Sequence, residues 1–226
     1  MKIHTMRAFL ITFALFLMSL SCTNSGNTEH DLAMMQKLPV QTETKNGLAR
    51  AYFASGCFWC VEAIFESVAG VEEVISGYSG GIEENPIYEN VSYGKTNHAE
   101  AVEVLYNPQI ISFQTLVSVF FASHDPTTRN RQGPDTGRQY RSIAFYQNEN
   151  EREIIDRTIK DLNEKHYDGN ITTQVFPFQK FWKAEDYHQD YESKHPRDPY
   201  IIGVSLPRLK KFKENYPEVL KDKKLH

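Results

Sequence analysis

The sequence contains few cysteines: only three among 226 residues, and none after Cys60. A structural zinc site usually takes four ligands from paired cysteines and histidines, and here no second cysteine pair exists to complete one. An excess of charge of one sign is also missing, since the formal net charge is −4, so no general attraction to nucleic acid is expected. The remaining composition is that of a globular chain with enough apolar residues for a core.

Apolar runs long enough to span a membrane are absent as well. Basic residues precede an apolar run over residues 8–20, which is shorter than the ~20 residues that a spanning helix needs. A short run with basic flanks is typical of a signal peptide. We therefore expect residues 1–22 to be a signal peptide and the mature protein to be exported to the periplasm or cell envelope.

The end of this signal contains the first cysteine. Ser19-Leu20-Ser21-Cys22 resembles a bacterial lipoprotein signal, in which the cysteine is acylated and becomes the mature N-terminus. Cys22 is thus the predicted lipidation site and membrane anchor; ordinary cleavage without acylation is the alternative. Residues 23–49 are mostly polar without a sustained period, which predicts a flexible tether. The folded domain is expected over residues 50–226.

The other two cysteines form the motif Gly56-Cys57-Phe58-Trp59-Cys60. Such a pair is interpreted as a redox dithiol, half of a zinc site, or two buried hydrophobes. Apolar residues then recur at helical spacing up to Gly70, so Cys57 is predicted to begin a helix. A cysteine there has its pKa lowered from about 8.5 to roughly 3.5–7.5. We expect Cys57 to be the activated thiol.

A nucleobase-deaminase zinc site is excluded by order. Those enzymes place His-x-Glu before Pro-Cys-x-x-Cys, whereas His98-Ala99-Glu100 follows the cysteines here and Gly56 precedes them. No metal or other cofactor is therefore expected.

The remaining pattern predicts an α/β (α+β) domain with two long loops, at residues 79–98 and 124–139. Loops of this length and turn-former content are unusual in a compact domain unless they are functional. The predicted strands lie at residues 51–54, 71–77, 99–106, 142–146 and 171–175, and the predicted helices at 57–69, 112–122 and from 148.

One strand carries an acidic residue in an unusual place. Alternation over residues 98–106 sets Glu100 on the same face as Val102, Val104 and Tyr106. A carboxyl that points toward a core has a raised pKa and can donate a proton near neutral pH. The alternative is an ordinary surface acid at the exposed start of the strand.

Eight segments in a shared order resemble the methionine sulfoxide reductase A family over residues 52–207. Besides the cysteine motif and His98-Ala99-Glu100-Ala101-Val102, they are Gly77-Tyr78-Ser79-Gly80-Gly81, Asn85-Pro86-Ile87-Tyr88, His124-Asp125-Pro126, Arg131-Gln132-Gly133-Pro134-Asp135, Gln139-Tyr140-Arg141-Ser142 and Ala184-Glu185-Asp186-Tyr187-His188-Gln189-Asp190-Tyr191. The resemblance implies a two-layer α/β sandwich with a mixed sheet and a ferredoxin-like core. It also implies reduction of the S epimer of methionine sulfoxide, free or in proteins.

The resemblance assigns a role to each matching residue. The Cys57 thiolate attacks the sulfoxide sulfur, and Glu100 protonates the departing oxygen, which fits the need for an acid at a developing negative charge. Tyr88 and Tyr140 match the tyrosines that hold the oxygen, and Asp135 matches a polar group beside them. Phe58 and Trp59 match the pocket for the S-methyl group; from the pattern alone both rings would be assigned to the core.

The chain departs from many family members at its C-terminus. They carry a resolving cysteine in the tail, but here only Cys60 remains to condense with a sulfenic acid on Cys57. Residues after 199 are predicted to form a strand and a lysine-rich helix. The expected partner is a thioredoxin-like reductant, and a monomer is expected.

Two other function classes stay open on sequence alone. A thioredoxin-like dithiol oxidoreductase would also use a Cys-x-x-Cys pair at a helix start. A non-catalytic exported lipoprotein would hold the same thiols as a permanent bridge.

Overall fold

The computed structural model describes residues 29–221. Its strands are β1 (Ala49–Ser55), β2 (Val71–Ser79), β3 (Ala99–Tyr106), β4 (Arg131–Gln132), β5 (Asp135–Thr136), β6 (Ser142–Tyr146), β7 (Gln174–Pro177) and β8 (Trp182–Lys183). Its helices are α1 (Glu29–Met35), α2 (Phe58–Glu66), α3 (Tyr88–Ser92), α4 (Phe113–Ala122), α5 (Glu149–Leu162), α6 (Tyr191–Lys194) and α7 (Leu206–Asn215).

The sheet has six strands in the order β7-β6-β1-β3-β2-β8. Every pair in it is antiparallel except β6 with β7, so the sheet is mixed as predicted. The run β1-α2-β2-β3-α4-β6 with strand order β6-β1-β3-β2 is the ferredoxin-like arrangement. The predicted fold class is confirmed.

Helix ends follow the side-chain chemistry that the sequence predicts. Ser112 caps α4 by accepting from the Thr115 N–H at 3.1 Å, and Asn148 caps α5 by accepting from the Glu151 N–H at 3.0 Å. The strand expected at residues 171–175 instead begins at Gln174, because the Thr172 N–H donates to the Pro126 carbonyl of a neighbouring loop. Strand pairing therefore starts later along the chain.

The core lies mainly between the sheet and helices α2 and α4. Phe53 of β1 stacks on Phe65 of α2 and Phe120 of α4 at ring distances of 5.2 and 5.1 Å. Fully burying such rings stabilises the fold by about 1.5–3 kcal/mol each. This packing fixes α2, and with it the start of the cysteine motif, against β1 and β3.

The predicted flexible tether is wrong from Glu29 onward. Met34 of α1 is buried with Phe176 and Phe178 on the other face of the sheet, and buried Asp31 forms an ion pair with Arg138. Polar composition hid this element because mainly polar contacts hold it: besides buried Met34 and the Asp31 ion pair, Nε2 of His30 lies 2.9 Å from the Gly80 carbonyl. The predicted signal peptide and Cys22 lie outside the described residues.

The predicted strand after residue 199 is also wrong. Residues Ile201–Ser205 form a π-helical turn that continues directly into α7. Ile201 and Ser205 are buried one turn apart, so the apolar residues have a helical period rather than an alternating one. The segment then follows α2, and the Lys221 N–H donates to the Ser67 carbonyl.

Within residues 29–221, no helix combines the length and apolar composition that crossing a bilayer requires.

Candidate active site

The cysteine motif sits where β1 turns into α2. Cys57 is the N-cap residue of α2, as the sequence predicts. Gly56 before it has φ +92°, and a Cβ there would lie 2.7 Å from Cβ of Gln132 in the β4–β5 hairpin. Glycine therefore serves both the turn and the close approach of this hairpin. The hairpin also carries Asp135 and so brings it to the start of α2.

The two thiols are neighbours in the first turn of α2. Cys57 keeps 6% of its surface exposed and Cys60 only 1%. Cys57 is therefore the sulfur that a substrate reaches, and Cys60 lies beneath it.

The expected lowered pKa of Cys57 is not found in the resting site. Burial raises the pKa of the Cys57 thiol, as does its hydrogen bond to Cys60. That same hydrogen bond, together with the positive charge of Arg208, lowers the pKa of Cys60 to about 6. The pair thus gives up one proton readily, and burial opposes removal of that proton from Cys57. The helix-start argument omitted burial, which only the tertiary fold reveals.

Glu100 is the buried acid that strand alternation favours. It is 2% exposed, and its Oε2 accepts a hydrogen bond from the Phe58 N–H at 3.0 Å. Burial raises the pKa of Glu100 to about 8, so the carboxyl is mostly protonated at neutral pH. Because Oε2 accepts the helix N–H, the proton resides on the other oxygen and is available for donation.

Tyrosine hydroxyls surround this acid. Burial raises the pKa of Tyr88 and Tyr140, and the charges of Glu100 and Cys57 raise both further. Both phenols therefore remain protonated donors. Within residues 29–221 neither hydroxyl has a hydrogen-bond partner, so both are free to bind an oxygen placed between them and Glu100.

Asp135 belongs to a second polar group beside the thiols. It accepts a hydrogen bond from the Tyr200 hydroxyl at 2.6 Å, and that hydroxyl lies 3.9 Å from Sγ of Cys60. Burial raises the pKa of Asp135. Asp135 thus links the hairpin, the C-terminal segment and the deeper thiol.

Aromatic rings form one wall of the site. Phe58 is buried, and its ring centroid lies 6.3 Å from that of Tyr88. Trp59 is half-buried and stacks on Tyr191 with ring centroids 3.8 Å apart and planes 8° apart. An apolar methyl thioether packs well on such faces.

His188 fixes the indole of this wall. Its Nδ1 accepts from Nε1 of Trp59 at 3.2 Å, and burial lowers the pKa of His188 to about 4, so the ring stays neutral. Within residues 29–221, Nε2 of His188 is buried without a hydrogen-bond partner, whereas both ring nitrogens of His124 have one. His124 contacts the Phe120 carbonyl and the Ser142 hydroxyl.

The structure brings together every predicted site residue that it describes: Cys57, Cys60, Glu100, Tyr88, Tyr140, Asp135, Phe58 and Trp59. Sequence reasoning missed Tyr191, Tyr200 and Arg208. Tyr191 closes the longest matching segment, and its aromatic partner Trp59 was already a candidate. Nothing in the local pattern distinguishes Tyr200 or Arg208, since both act through contacts with residues 65 to 153 positions away along the chain.

The chain resembles known proteins over this whole region. Residues 49–220 match the family model described as peptide methionine sulfoxide reductase. A peptide methionine sulfoxide reductase MsrA of Sulfolobus acidocaldarius is 46% identical over 168 residues, covering 74% of this chain and 95% of the relative. One of Acinetobacter baumannii is 45% identical over 175 residues, covering 77% and 99%.

Solved structures agree with these relatives. Reduced Mxr1 of Saccharomyces cerevisiae matches with a TM-score of 0.64 and 33% identity, covering 69% of this chain and 90% of that one. Methionine sulfoxide reductase A of Corynebacterium diphtheriae matches with a TM-score of 0.61 and 33% identity, covering 72% and 84%.

Proposed function

The chain belongs to the peptide methionine sulfoxide reductase family, and from that premise we propose that Cys57 and Glu100 together reduce the S epimer of methionine sulfoxide to methionine. The observation that carries the proposal is the buried, protonated Glu100, which is held by the N–H of the residue that follows Cys57. The nucleophile Cys57 and the acid Glu100 are therefore both held at the start of α2.

The geometry supports a definite first step. The sulfoxide methyl lies against Phe58 and Trp59, and its oxygen faces Glu100, Tyr88 and Tyr140. Attack by the Cys57 sulfur pushes charge onto that oxygen, where Glu100 supplies a proton and the phenols supply hydrogen bonds. Methionine leaves, and Cys57 remains as a sulfenic acid.

Cys60 then resolves the sulfenic acid. It lies one turn along α2 from Cys57, and the disulfide that forms is accessible at Cys57, which an external dithiol can attack. A thioredoxin-like protein is the reductant of suitable chemistry. Activity on the R epimer is not proposed.

The site argues against the two other function classes. General dithiol exchange does not require the combination of buried, protonated Glu100 with the hydroxyls of Tyr88 and Tyr140. A permanent structural disulfide requires none of these groups. Turnover of methionine sulfoxide with dithiothreitol is the direct test. If the purified protein forms no methionine from methionine sulfoxide but still reduces insulin, it is instead a dithiol oxidoreductase.

The pH dependence of the first step is a specific expectation. Thiolate character at the pair requires a pH above about 6, the pKa of Cys60, and acid catalysis requires Glu100 protonated, below its pKa of about 8. The single-turnover rate of methionine formation should therefore rise through about pH 6 and fall through about pH 8. A rate that is flat from pH 5 to 9 would contradict the assignment of either group.

We also propose that the mature protein is a lipoprotein of the cell envelope, anchored through Cys22. Several lipid chains on one cysteine anchor a protein stably, whereas one chain binds only marginally. Cys22→Ser should release the protein into the soluble fraction while leaving its reductase activity intact. Mass spectrometry of the mature N-terminus checks this, and an unmodified N-terminus at another residue would contradict the proposal.

A further inference from the structure

The short helix α1 holds one end of the turn that carries Tyr140. Asp31 of α1 is 2% exposed and forms an ion pair with Arg138, whose Nη2 donates to the carboxylate at 2.5 Å. Arg138 begins the 3₁₀ turn Arg138–Tyr140, and Tyr140 is its last residue. A hydrogen bond between two charged groups is about twice as strong as a neutral one. The ion pair thus fixes a three-residue turn at the end opposite Tyr140.

The same helix also contacts the loop that leads to Tyr88. Nε2 of His30 lies 2.9 Å from the Gly80 carbonyl, at the start of the loop over residues 79–98. A carbonyl oxygen can only accept, so Nε2 carries the proton of this hydrogen bond. One helix thus contacts both of the segments that carry the two phenols of the site. It does so from outside residues 49–220, the range that matches the family.

Arg141 connects the two loops to each other. It is buried; one Nη donates to the Arg138 carbonyl at 2.9 Å, and the other donates to the carbonyls of Asn97 at 2.9 Å and Gly80 at 3.4 Å. The Gly80 carbonyl therefore accepts from both His30 and Arg141. The contacts form a closed ring that runs from α1 to the first loop, through the guanidinium to the second loop, and back to α1.

A further link joins the two elements that carry the phenols. Gln139 is buried, and its Nε2 donates to the Ser92 carbonyl at 2.8 Å. Gln139 directly precedes Tyr140, and Ser92 is the last residue of α3, the helix that Tyr88 begins. Tyr88 also has an anchor of its own, since its N–H donates to Glu185 at 2.9 Å. The Tyr140 end of this pair is therefore the one that depends on α1.

Asp31 also acts on the buried guanidinium of Arg141. Burial and the charge of Arg138 lower the pKa of Arg141 to about 9, and the charge of Asp31 opposes this shift. The hydrogen bonds of Arg141 within residues 29–221 go to three carbonyls and to the side-chain oxygen of Gln174, all of them neutral acceptors. Loss of the Asp31 charge would thus weaken the hold on both arginines.

We propose that α1 is a positioning element of the reductase site, and that its Asp31 sets where Tyr140 holds the sulfoxide oxygen. This inference rests on the proposed function and adds to the site a helix that lies before residue 50, where the domain was expected to begin. Asp31 touches no reacting atom and acts through Arg138. Position matters because a misplacement of about 1 Å in a site can slow the reaction about 10²-fold.

The test is the first-turnover rate of methionine formation from the S epimer of N-acetylmethionine sulfoxide, measured with the full-length Cys22→Ser chain well below the thermal midpoint of every variant. Asp31→Asn keeps the size of the side chain and removes its charge. The saturating rate should fall roughly 10- to 100-fold, because the Tyr140 donor is displaced, whereas complete loss of a donor costs about 10²–10³. The half-saturating substrate concentration should stay within about twofold, since the oxygen gains its charge only in the transition state.

Matched variants separate positioning from simple attachment of α1. Glu29→Gln removes an exposed charge from the same helix, and Met34→Ala removes its buried apolar contact. Met34→Ala should lower the Tm, yet both variants should keep the wild-type first-turnover rate because the ion pair remains. Arg138→Gln breaks that pair from the other side and should reproduce the loss seen in Asp31→Asn, which gives a second measurement if Asp31→Asn does not fold.

A variant of Tyr140 tests whether Asp31 acts through this phenol. In Tyr140→Phe the donor is already gone, so adding Asp31→Asn should slow the first turnover by less than about twofold more. An equally large loss in the Tyr140→Phe background would mean that Asp31 acts elsewhere. Wild-type rates in both Asp31→Asn and Arg138→Gln would overturn the role of α1 and leave the proposed function intact. If wild type forms no methionine, the proposed function itself is wrong.

Discussion

Replacement of Glu100 by glutamine should slow methionine formation in a single turnover by about 10²–10⁴-fold, the usual contribution of general acid catalysis. Glutamine keeps the shape of the side chain and its acceptance of the Phe58 N–H, seen at 3.0 Å in the structure. It removes only the proton that the sulfoxide oxygen receives. The measurement is rapid-quench quantification of methionine with one equivalent of enzyme.

The pH profile of the same variant makes this assignment specific. Glu100 has its pKa raised to about 8 by burial, so its deprotonation produces the alkaline limb of the wild-type rate. In Glu100→Gln that limb should disappear. Glu103→Gln is a matched control, because Glu103 lies on the same strand but accepts from Tyr52 at 2.6 Å on the opposite face. An alkaline limb that survives in Glu100→Gln would assign the acid to another group.

Local patterns were sufficient where one element decides the outcome. Alternation along β3 placed Glu100 on the face that packs on α2, and capping residues located α4 and α5. The same reasoning located the cysteine motif at a helix start, because the apolar period of α2 is evident in the sequence. The ferredoxin-like topology and the grouping of the loop tyrosines came from the family resemblance.

Other features depend on contacts between distant segments. The pKa of Cys57 has the opposite direction to the one predicted because burial by the surrounding fold outweighs the helix start. Arg208 acquires its role only when α7 packs along α2 and its side chain reaches the Ser55 carbonyl. Likewise α1 is held in part by Asp31, whose partner Arg138 lies 107 residues away, and by Met34, which is buried in a cluster with Phe176 and Phe178. Periodicity in the sequence does not indicate contacts between such distant residues.

The second large expected effect concerns the disulfide between Cys57 and Cys60. Residues i and i+3 of a helix have Cβ atoms about 5–6 Å apart, whereas a disulfide needs about 3.5–4.5 Å. Cys57 is already the N-cap with φ −56° and ψ 125°, outside the helical region. The bond therefore requires only a small tightening of the first turn, where no full set of helix hydrogen bonds resists it.

Cys60→Ser should abolish this closure and with it turnover driven by thioredoxin. Cys57 and Cys60 are the cysteines of the described residues, and the remaining one, Cys22, precedes the domain. The variant should form one methionine per enzyme and accumulate Cys57 as a sulfenic acid, trapped by dimedone and located by peptide mapping. Steady-state turnover with thioredoxin, its reductase and NADPH should fall to background, while wild type should yield a Cys57–Cys60 linked peptide after oxidation by substrate. Cys22→Ser is the matched control and should turn over normally. Normal turnover of Cys60→Ser with thioredoxin, or oxidised wild type without the linked peptide, would mean that the external thiol attacks the sulfenic acid directly and that Cys60 is not the resolving residue.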